Sequence, residues 1–390
     1  MENAKTTAKE QECSALLRAI ADQPLLIRSL LKHKKELTED FVQHFLTHSV
    51  KKVYFCAQAS GTFVGNMLAP CMEQLLQVET EVCNPASFPA YFQFNINQLY
   101  KPDELLMLCP AHSGTTTGPI RMAQECKRLH IPVICTTVNS ASPLAKLSDI
   151  VIGKCCGFEE SFIETRTHMA SLMIFFLCII ETAKQKKMLC EQDYTYYQQY
   201  FSRLADSIDR IIRDTADWYK DHRELLQTKM IARYIGAGPY YAVAQEGGLK
   251  IAEATAIASL VYEQEEFMHT GTTQIQKDSL LFLIAPSGVQ ETRMLELIRW
   301  CRLYSDYVIL IAEHSHPLKD SKALLCHFQN DPYCSVMEYM VPFQMLAYLL
   351  AKDRGLSVVH AANDGASAYL KTHTEEIGRA SCRERVSSPV

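Results

Sequence analysis

The sequence predicts an α/β protein made of two doubly wound, flavodoxin-like parallel-sheet units related by a pseudo-two-fold, set behind a helical N-terminal arm. Three observations predict it: short apolar runs alternate with longer helical patterns, the same texture occurs twice, and the first fifty residues carry helical spacing alone. The 390 residues suffice for two or three cores, and a content of 48% hydrophobic and 21% charged residues excludes disorder.

In the arm, residues 1–49, Leu16, Leu17 and Ile20, then Leu25, Leu26, Leu30 and Leu31, then Phe41, Phe45 and Leu46 recur at three- and four-residue intervals. Pro24 interrupts the first run and starts a new helix, because proline is tolerated in a first turn but not in the interior. The first sheet unit, 50–190, has strands expected at 53–57, 105–109, 132–136 and 150–152. Its apolar run 170–180 is about half of the roughly 20 residues that span a bilayer, and reads as a buried helix. No membrane partner is expected.

A polar helical connector, 191–228, follows as an amphipathic surface bridge. The second unit, 229–375, has strands expected at 230–235, 280–285 and 307–312. The halves read as copies: Asp103 to Gly114 aligns with Asp278 to Gly288 across a one-residue gap, and 53–65 aligns with 231–243. In such sheets ligands sit beyond the carboxyl ends of the strands. Residues 376–390 are set apart. Their Arg- and Ser-rich, aperiodic stretch EIGRASCRERV reads as translated adaptor sequence rather than natural protein, so the natural C-terminus is expected to be absent.

A net charge of −5, with 39 Lys+Arg against 44 Asp+Glu, leaves no basic face for nucleic acid. The start, Met1-Glu2-Asn3, has no apolar signal segment, so the 15 cysteines read as reduced thiols in the cytoplasm, packed as small hydrophobes. There is no Cys-x-x-Cys, and the adjacent Cys155-Cys156 cannot embrace zinc; no metal or other cofactor is expected.

The strongest local signal is Cys109-Pro-Ala-His112-Ser113-Gly114-Thr115-Thr116-Thr117-Gly118, between a strand and a helix. Small residues let amides converge, the helix start adds partial positive charge, and hydroxyls donate to oxygens, which together make an anion cradle. The loop lacks the Gly-Lys-Ser/Thr ending of a nucleotide P-loop. Helix capping by Ser113 or Thr115 is the alternative, but it accounts for one or two hydroxyls only. Ser60, in Gln58-Ala59-Ser60-Gly61, ends the first strand of the same unit and could reach the same anion. Gly236-Ala-Gly238 invites a dinucleotide reading, which fails because Tyr241 stands at the third glycine position.

Glu246, Lys250 and Glu253 share one helix face. From spacing alone they read as a solvated, salt-bridged stripe. The next segment, Glu263 to Gly271, changes the weight by placing His269 among carboxylates. An imidazole and a glutamate in one cleft can open a sugar ring and move a proton between C1 and C2.

These residues carry a resemblance. Across 50–375 the chain resembles the tandem sugar isomerase (SIS) domain family, which includes fructosamine-6-phosphate deglycases and the isomerase half of glucosamine-6-phosphate synthase. The family's Ser-x-Ser-Gly-x-Thr loop is similar to Ala111 to Thr116, and its Gly-Thr-Ser turn to Gln58-Ala59-Ser60. Its Glu-Gly-Ala-Leu-Lys-x-x-Glu helix is similar to Glu246 to Glu253, and its Glu-x-x-His-Gly segment to Glu266 to Thr270. The resemblance implies that Ser60, His112, Ser113 and Thr116 hold a substrate phosphate, with Thr115 and Thr165 nearby. It implies Glu253 as the base, with Glu246 and Lys250 beside it, and His269 as the ring-opening residue delivered by a neighbouring subunit. A homodimer or higher oligomer with a shared site follows. The family's C-terminal lysine has only Lys371 as a candidate. Departures at Gln58, Ala59, Ala111 and Thr270-Gly271 bear on which sugar is bound.

The expected activity is cleavage of an amine from a sugar phosphate (deglycase or deaminase type) or aldose–ketose isomerisation. No glutaminase-type start is seen, so amidating synthesis is not expected. The alternative is a sugar-phosphate-binding regulator without turnover.

Overall fold

The protein is described here by a computed structural model covering residues 2–361 and 365–374. The segment 376–390 lies outside the described residues. The arm is three helices, α1 (Glu2–Ala21), α2 (Gln23–Lys32) and α3 (Lys34–Thr47), with Pro24 in the first turn of α2. The first unit runs β1 (Lys52–Cys56), α4 (Ser60–Leu76), β2 (Glu79–Cys83), α5 (Phe88–Tyr91), β3 (Leu105–Pro110), α6 (Thr117–Arg128), β4 (Val133–Thr137), α7 (Pro143–Leu147), β5 (Ile150–Gly153) and α8 (Arg166–Gln185). The long α9 (Glu191–Gln227) leads to β6 (Ile231–Gly236), α10 (Pro239–Thr255), β7 (Ala258–Glu263), α11 (Gln264–His269), β8 (Leu280–Ile284), α12 (Glu291–Cys301), β9 (Tyr307–Glu313), β10 (Ala323–Cys326), α13 (Val336–Tyr339), α14 (Val341–Asp353) and α15 (Ala366–Tyr369).

Each half builds a five-stranded, all-parallel sheet, in the orders β2-β1-β3-β4-β5 and β7-β6-β8-β9-β10. Numbered within each half both are 2-1-3-4-5, the flavodoxin-type order, in which the direction of winding reverses between the first and third strands. The sequence repeat thus corresponds to a repeated topology. Three edge strands, β2, β7 and β10, were not among those expected from the sequence.

Strand side chains alternate between two cores, as the pleat requires. Val53, Phe55, Leu106 and Leu108 of the first sheet share one cluster with Tyr234, Leu280, Phe282 and Ile284 of the second. The opposite faces, Tyr54, Leu105, Met107 and Cys109 in one sheet and Leu281, Leu283, Val308 and Leu310 in the other, pack in separate outer clusters. The shared middle layer holds α4, α8, α10 and α14, with α4 packed on both α8 and α10. By length and composition α8 could cross a membrane, yet 89% of its apolar window is buried inside the protein. The face of α9 carrying Tyr200, Phe201, Leu204, Ile208 and Ile211 joins the same core, against α2 and α14. The fourteen described cysteines are free, and most are buried.

Candidate active site

The carboxyl ends of β1, β3 and β5 surround a cavity of about 290 Å³, lined among others by Ala57, Gln58, His112, Ser113, Thr115, Thr116, Lys154, Glu164, His168 and His373. It lies between β1 and β3, where the winding reverses and where ligands of doubly wound sheets bind.

The anion loop is pinned from behind. The Thr137 hydroxyl and the Val138 amide donate to the carbonyl of His112, at 2.9 and 3.0 Å, and the Leu144 amide donates to that of Gly114 at 3.1 Å. Carbonyls are thereby turned away. Among the described residues the amides of Ser113, Gly114 and Thr116 donate to no protein acceptor, which leaves them for an anion at the start of α6. Gly114 has φ +72°, and a Cβ there would lie 2.2 Å from the Ser142 hydroxyl. Helix capping does not account for these hydroxyls: the cap residue of α6 is Thr116, which makes no side-chain cap bond. The Ser113 hydroxyl instead lies 2.8 Å from that of Thr115 and accepts from the Thr115 amide at 3.3 Å.

Two of the expected ligands are placed differently. Thr165 is fully buried and off the cavity wall; its amide and hydroxyl donate to Glu159, at 3.1 and 3.0 Å, tying down the start of α8. Ser60 is the buried first residue of α4 and faces Glu246 instead of lining the cavity. The preceding Ala59 has φ 48° and ψ −125°, a region that normally belongs to glycine.

Glu246 and Lys250 are not a solvated stripe. Because α10 packs on α4, their side chains are each only 1% exposed, with Lys250 Nζ 3.6 Å from Glu246 Oε1. Lys250 donates at 2.8 Å to Glu253, whose side chain is 28% exposed. Burial raises the pKa of both glutamates, partly opposed by Lys250. Burial alone would discharge Lys250, but Glu246, Glu253 and Glu164 hold it charged.

Four cavity residues escaped the sequence reading. Lys154, one residue past β5, is 2% exposed and donates to the carbonyl of Thr167 at 3.1 Å; burial lowers its pKa, against the pull of Glu164. His168, fully buried, has its Nδ1 3.4 Å from Glu246 Oε1, and neither ring nitrogen makes a hydrogen bond. Its pKa falls to about 3, first through burial and then through Lys250, so it is neutral. Glu164 is half-buried, beside His112, Lys154, Lys250 and His168. His373 comes from the far end of the chain. The segment 371–374 pairs with the loop, Thr117 donating to Thr372 O at 2.9 Å and Thr374 to Thr115 O at 2.8 Å. Lys371 is exposed and accepts through its carbonyl from the Thr117 hydroxyl.

His269 does not join this group: it is exposed at the end of α11 and off the cavity wall. The loop after β8, which contains Ser287 and Gly288 and corresponds to the anion loop, is likewise exposed.

Two parallel sheets of this order carry a hydroxyl loop at the winding reversal and, on α10, the Glu246–Lys250–Glu253 cluster. Residues 225–347 match the SIS domain. The chain is 22% identical over 364 residues to a glutamine–fructose-6-phosphate aminotransferase (isomerizing) of Caldanaerobacter subterraneus, covering 91% of this chain. The chain spans only 59% of that relative's length. Its fold is similar to that of a protein proposed as a phosphosugar isomerase from Clostridium difficile 630, with a TM-score of 0.81 and 17% identity over 93% of this chain and 99% of the other. It is also similar to the C-terminal domain of a glucosamine-fructose-6-phosphate aminotransferase from Francisella tularensis, with a TM-score of 0.77 and 18% identity over 88% and 97%.

Proposed function

We propose that the chain binds a phosphorylated sugar or amino-sugar derivative with its phosphate on the Ser113 loop, and acts on it by ring opening and proton abstraction at C1/C2. The observation that carries this reading is the meeting of the two halves. Helix α10, with Glu246, Lys250 and Glu253, packs against the helix that starts beside the anion loop, and His168 of the cavity wall lies 3.4 Å from Glu246.

In this mechanism the amides of Ser113, Gly114 and Thr116 and the hydroxyls of Ser113, Thr115 and Thr116 hold the phosphate, and Lys154 balances its charge. Glu253, the partly accessible end of the trio, takes the proton; its raised pKa brings it closer to neutrality and makes it a better base. Lys250 fixes Glu253 at 2.8 Å and stabilises the negative charge that develops on the sugar oxygen, while buried Glu246 keeps Lys250 in place. His269 opens the ring when supplied by a second copy, so the active form is a homodimer or larger. Amine release and aldose–ketose interconversion both begin with these steps, and amine release is the reaction we favour. The exposure of His269 supports a second reading: a lone chain would bind a sugar phosphate as a regulator, without turnover.

Incubation with 6-phosphorylated ketoses, aldoses, amino sugars and fructosamines, followed by NMR and amine detection, tests the proposal. Glu253→Gln is expected to abolish turnover and leave binding intact. Full activity of Glu253→Gln on every substrate turned over would refute the mechanism, and tight binding with no turnover of any substrate would favour the regulator.

A further inference from the structure

The cavity's charges are unusual for a site that must take a phosphate dianion. Besides the histidines two ionisable groups line it, the Lys154 ammonium and the Glu164 carboxyl, and the Glu246–Lys250–Glu253 cluster of α10 acts on Glu164 from outside the wall. Two of these carboxyls are already committed. Lys250 lies between Glu246 and Glu253 on α10, at 3.6 and 2.8 Å.

Glu164 is different. It lines the cavity, is only half-buried, and among the described residues makes neither a hydrogen bond nor an ion pair. It also feels charges from both halves of the chain. The groups acting on it include His112 and Lys154 on the anion-loop side and Lys250 and His168 on the α10 side, and it in turn acts on Glu246 and Glu253. A ligand whose phosphate sits on the loop shares the cavity with this carboxylate. The neighbouring cations hold its pKa below the usual range even though burial would raise it, so it is an anion when the ligand arrives.

A neutral sugar chain laid across such a carboxylate would gain hydroxyl hydrogen bonds but add no positive charge beside it, next to an incoming dianion. A ligand that carries its own cation would answer it.

We propose that Glu164 is the specificity-determining residue of this cavity, receiving the protonated amine of a phosphorylated amino sugar while the Ser113 loop takes the phosphate. This rests on the phosphosugar reading above, and the test separates the two. The probes are alditols, which have no carbonyl to react: 2-amino-2-deoxyglucitol 6-phosphate, its N-acetyl derivative, which is uncharged at nitrogen, and glucitol 6-phosphate, with inorganic phosphate as a reporter of the loop alone. Binding to the full chain is measured by titration calorimetry below the amine pKa.

The unmodified protein is expected to bind the amino alditol about tenfold or more tighter than either neutral one, as for a charge-assisted contact. Glu164→Gln is expected to bring that preference to about twofold or less and to leave inorganic phosphate affinity within about threefold. Equal binding of the three alditols to the unmodified protein would overturn the assignment while leaving the phosphosugar site standing, and this holds even if the variant fails to fold. A Glu164→Gln variant weakened equally toward all probes, phosphate included, would also overturn it, by making Glu164 a counter-ion to Lys154. If neither alditols nor phosphate bind, both the assignment and the phosphosugar reading fall.

Discussion

Replacing Gly114 by alanine should damage the anion loop in a way that can be worked out from its geometry. At φ +72° an L-residue costs about 1–2 kcal/mol more than glycine. The new Cβ would stand 2.2 Å from Ser142 Oγ, 2.7 Å from Ser142 Cβ and 3.2 Å from Thr137 Oγ1. Ser142 therefore has to turn, yet its hydroxyl caps α7 by accepting from the Ala145 amide at 3.2 Å, a bond whose loss costs about 1 kcal/mol. The sum is about 2–3 kcal/mol, or roughly 4–6 °C in Tm for a domain of this size. Because the flanking residues Ser113 and Thr115 move with it, phosphate affinity should fall by more than about tenfold. Differential scanning fluorimetry and phosphate calorimetry report the two effects. A Gly114→Ala protein with unchanged Tm and unchanged phosphate binding would refute the reasoning.

Other outcomes follow from the same structure. Ala59→Gly should stabilise the protein by about 1 kcal/mol, since the strain of a non-glycine residue at φ 48°, ψ −125° exceeds glycine's added chain entropy; an equal or lower Tm would argue against strain there. Lys154→Met should weaken inorganic phosphate binding by about tenfold to a hundredfold, the range for a charged hydrogen-bond donor, as read by calorimetry. For pH dependence, His168 binds its proton at about 3 in the folded protein and near 6.5 when unfolded. The unfolded chain therefore takes up the proton first, and stability is lost as pH falls below about 6.5, at up to about 1.4 kcal/mol per pH unit. The raised carboxyls of Glu246 and Glu253 act in the opposite direction in both proteins. Urea unfolding of His168→Gln should accordingly lose about 2–3 kcal/mol less than the unmodified chain between about pH 7 and 4.5.

How much was legible in the sequence depended on where each residue lies. Central strands such as Leu105–Pro110 and Leu280–Ile284 are buried at every position and stand out as apolar runs. The edge strand Glu79–Cys83 is exposed or half-buried at four of its five positions, so Glu-Thr-Glu-Val-Cys resembles a loop. Ala258–Glu263, half-buried or exposed throughout, was missed for the same reason. The hydroxyl loop was visible because its residues are contiguous. The helical spacing of Glu246, Lys250 and Glu253 was visible too, but not their burial, since the cover comes from α4 and α8, more than a hundred and fifty and about eighty residues earlier. Lys154 carries no periodic signal. Its position directly after the apolar run 150–152 was the available clue, because a charge just past the carboxyl end of a parallel strand points into the ligand-binding crevice. Nothing local could have found His373, which reaches the cavity only through the pairing of 371–374 with Thr115 and Thr117.

The burial of Lys154 has a consequence for ionic strength. A protein of net charge −5 repels anions at a distance, and a surface lysine that offset this would lose its effect as salt is added, over a Debye length of about 8 Å at physiological strength. At 2% exposure Lys154 faces the cavity rather than the solution, and it is screened much less than a surface lysine. Salt should therefore reduce the long-range repulsion more than the local attraction, so that anion affinity falls less steeply with ionic strength than it would at a surface lysine.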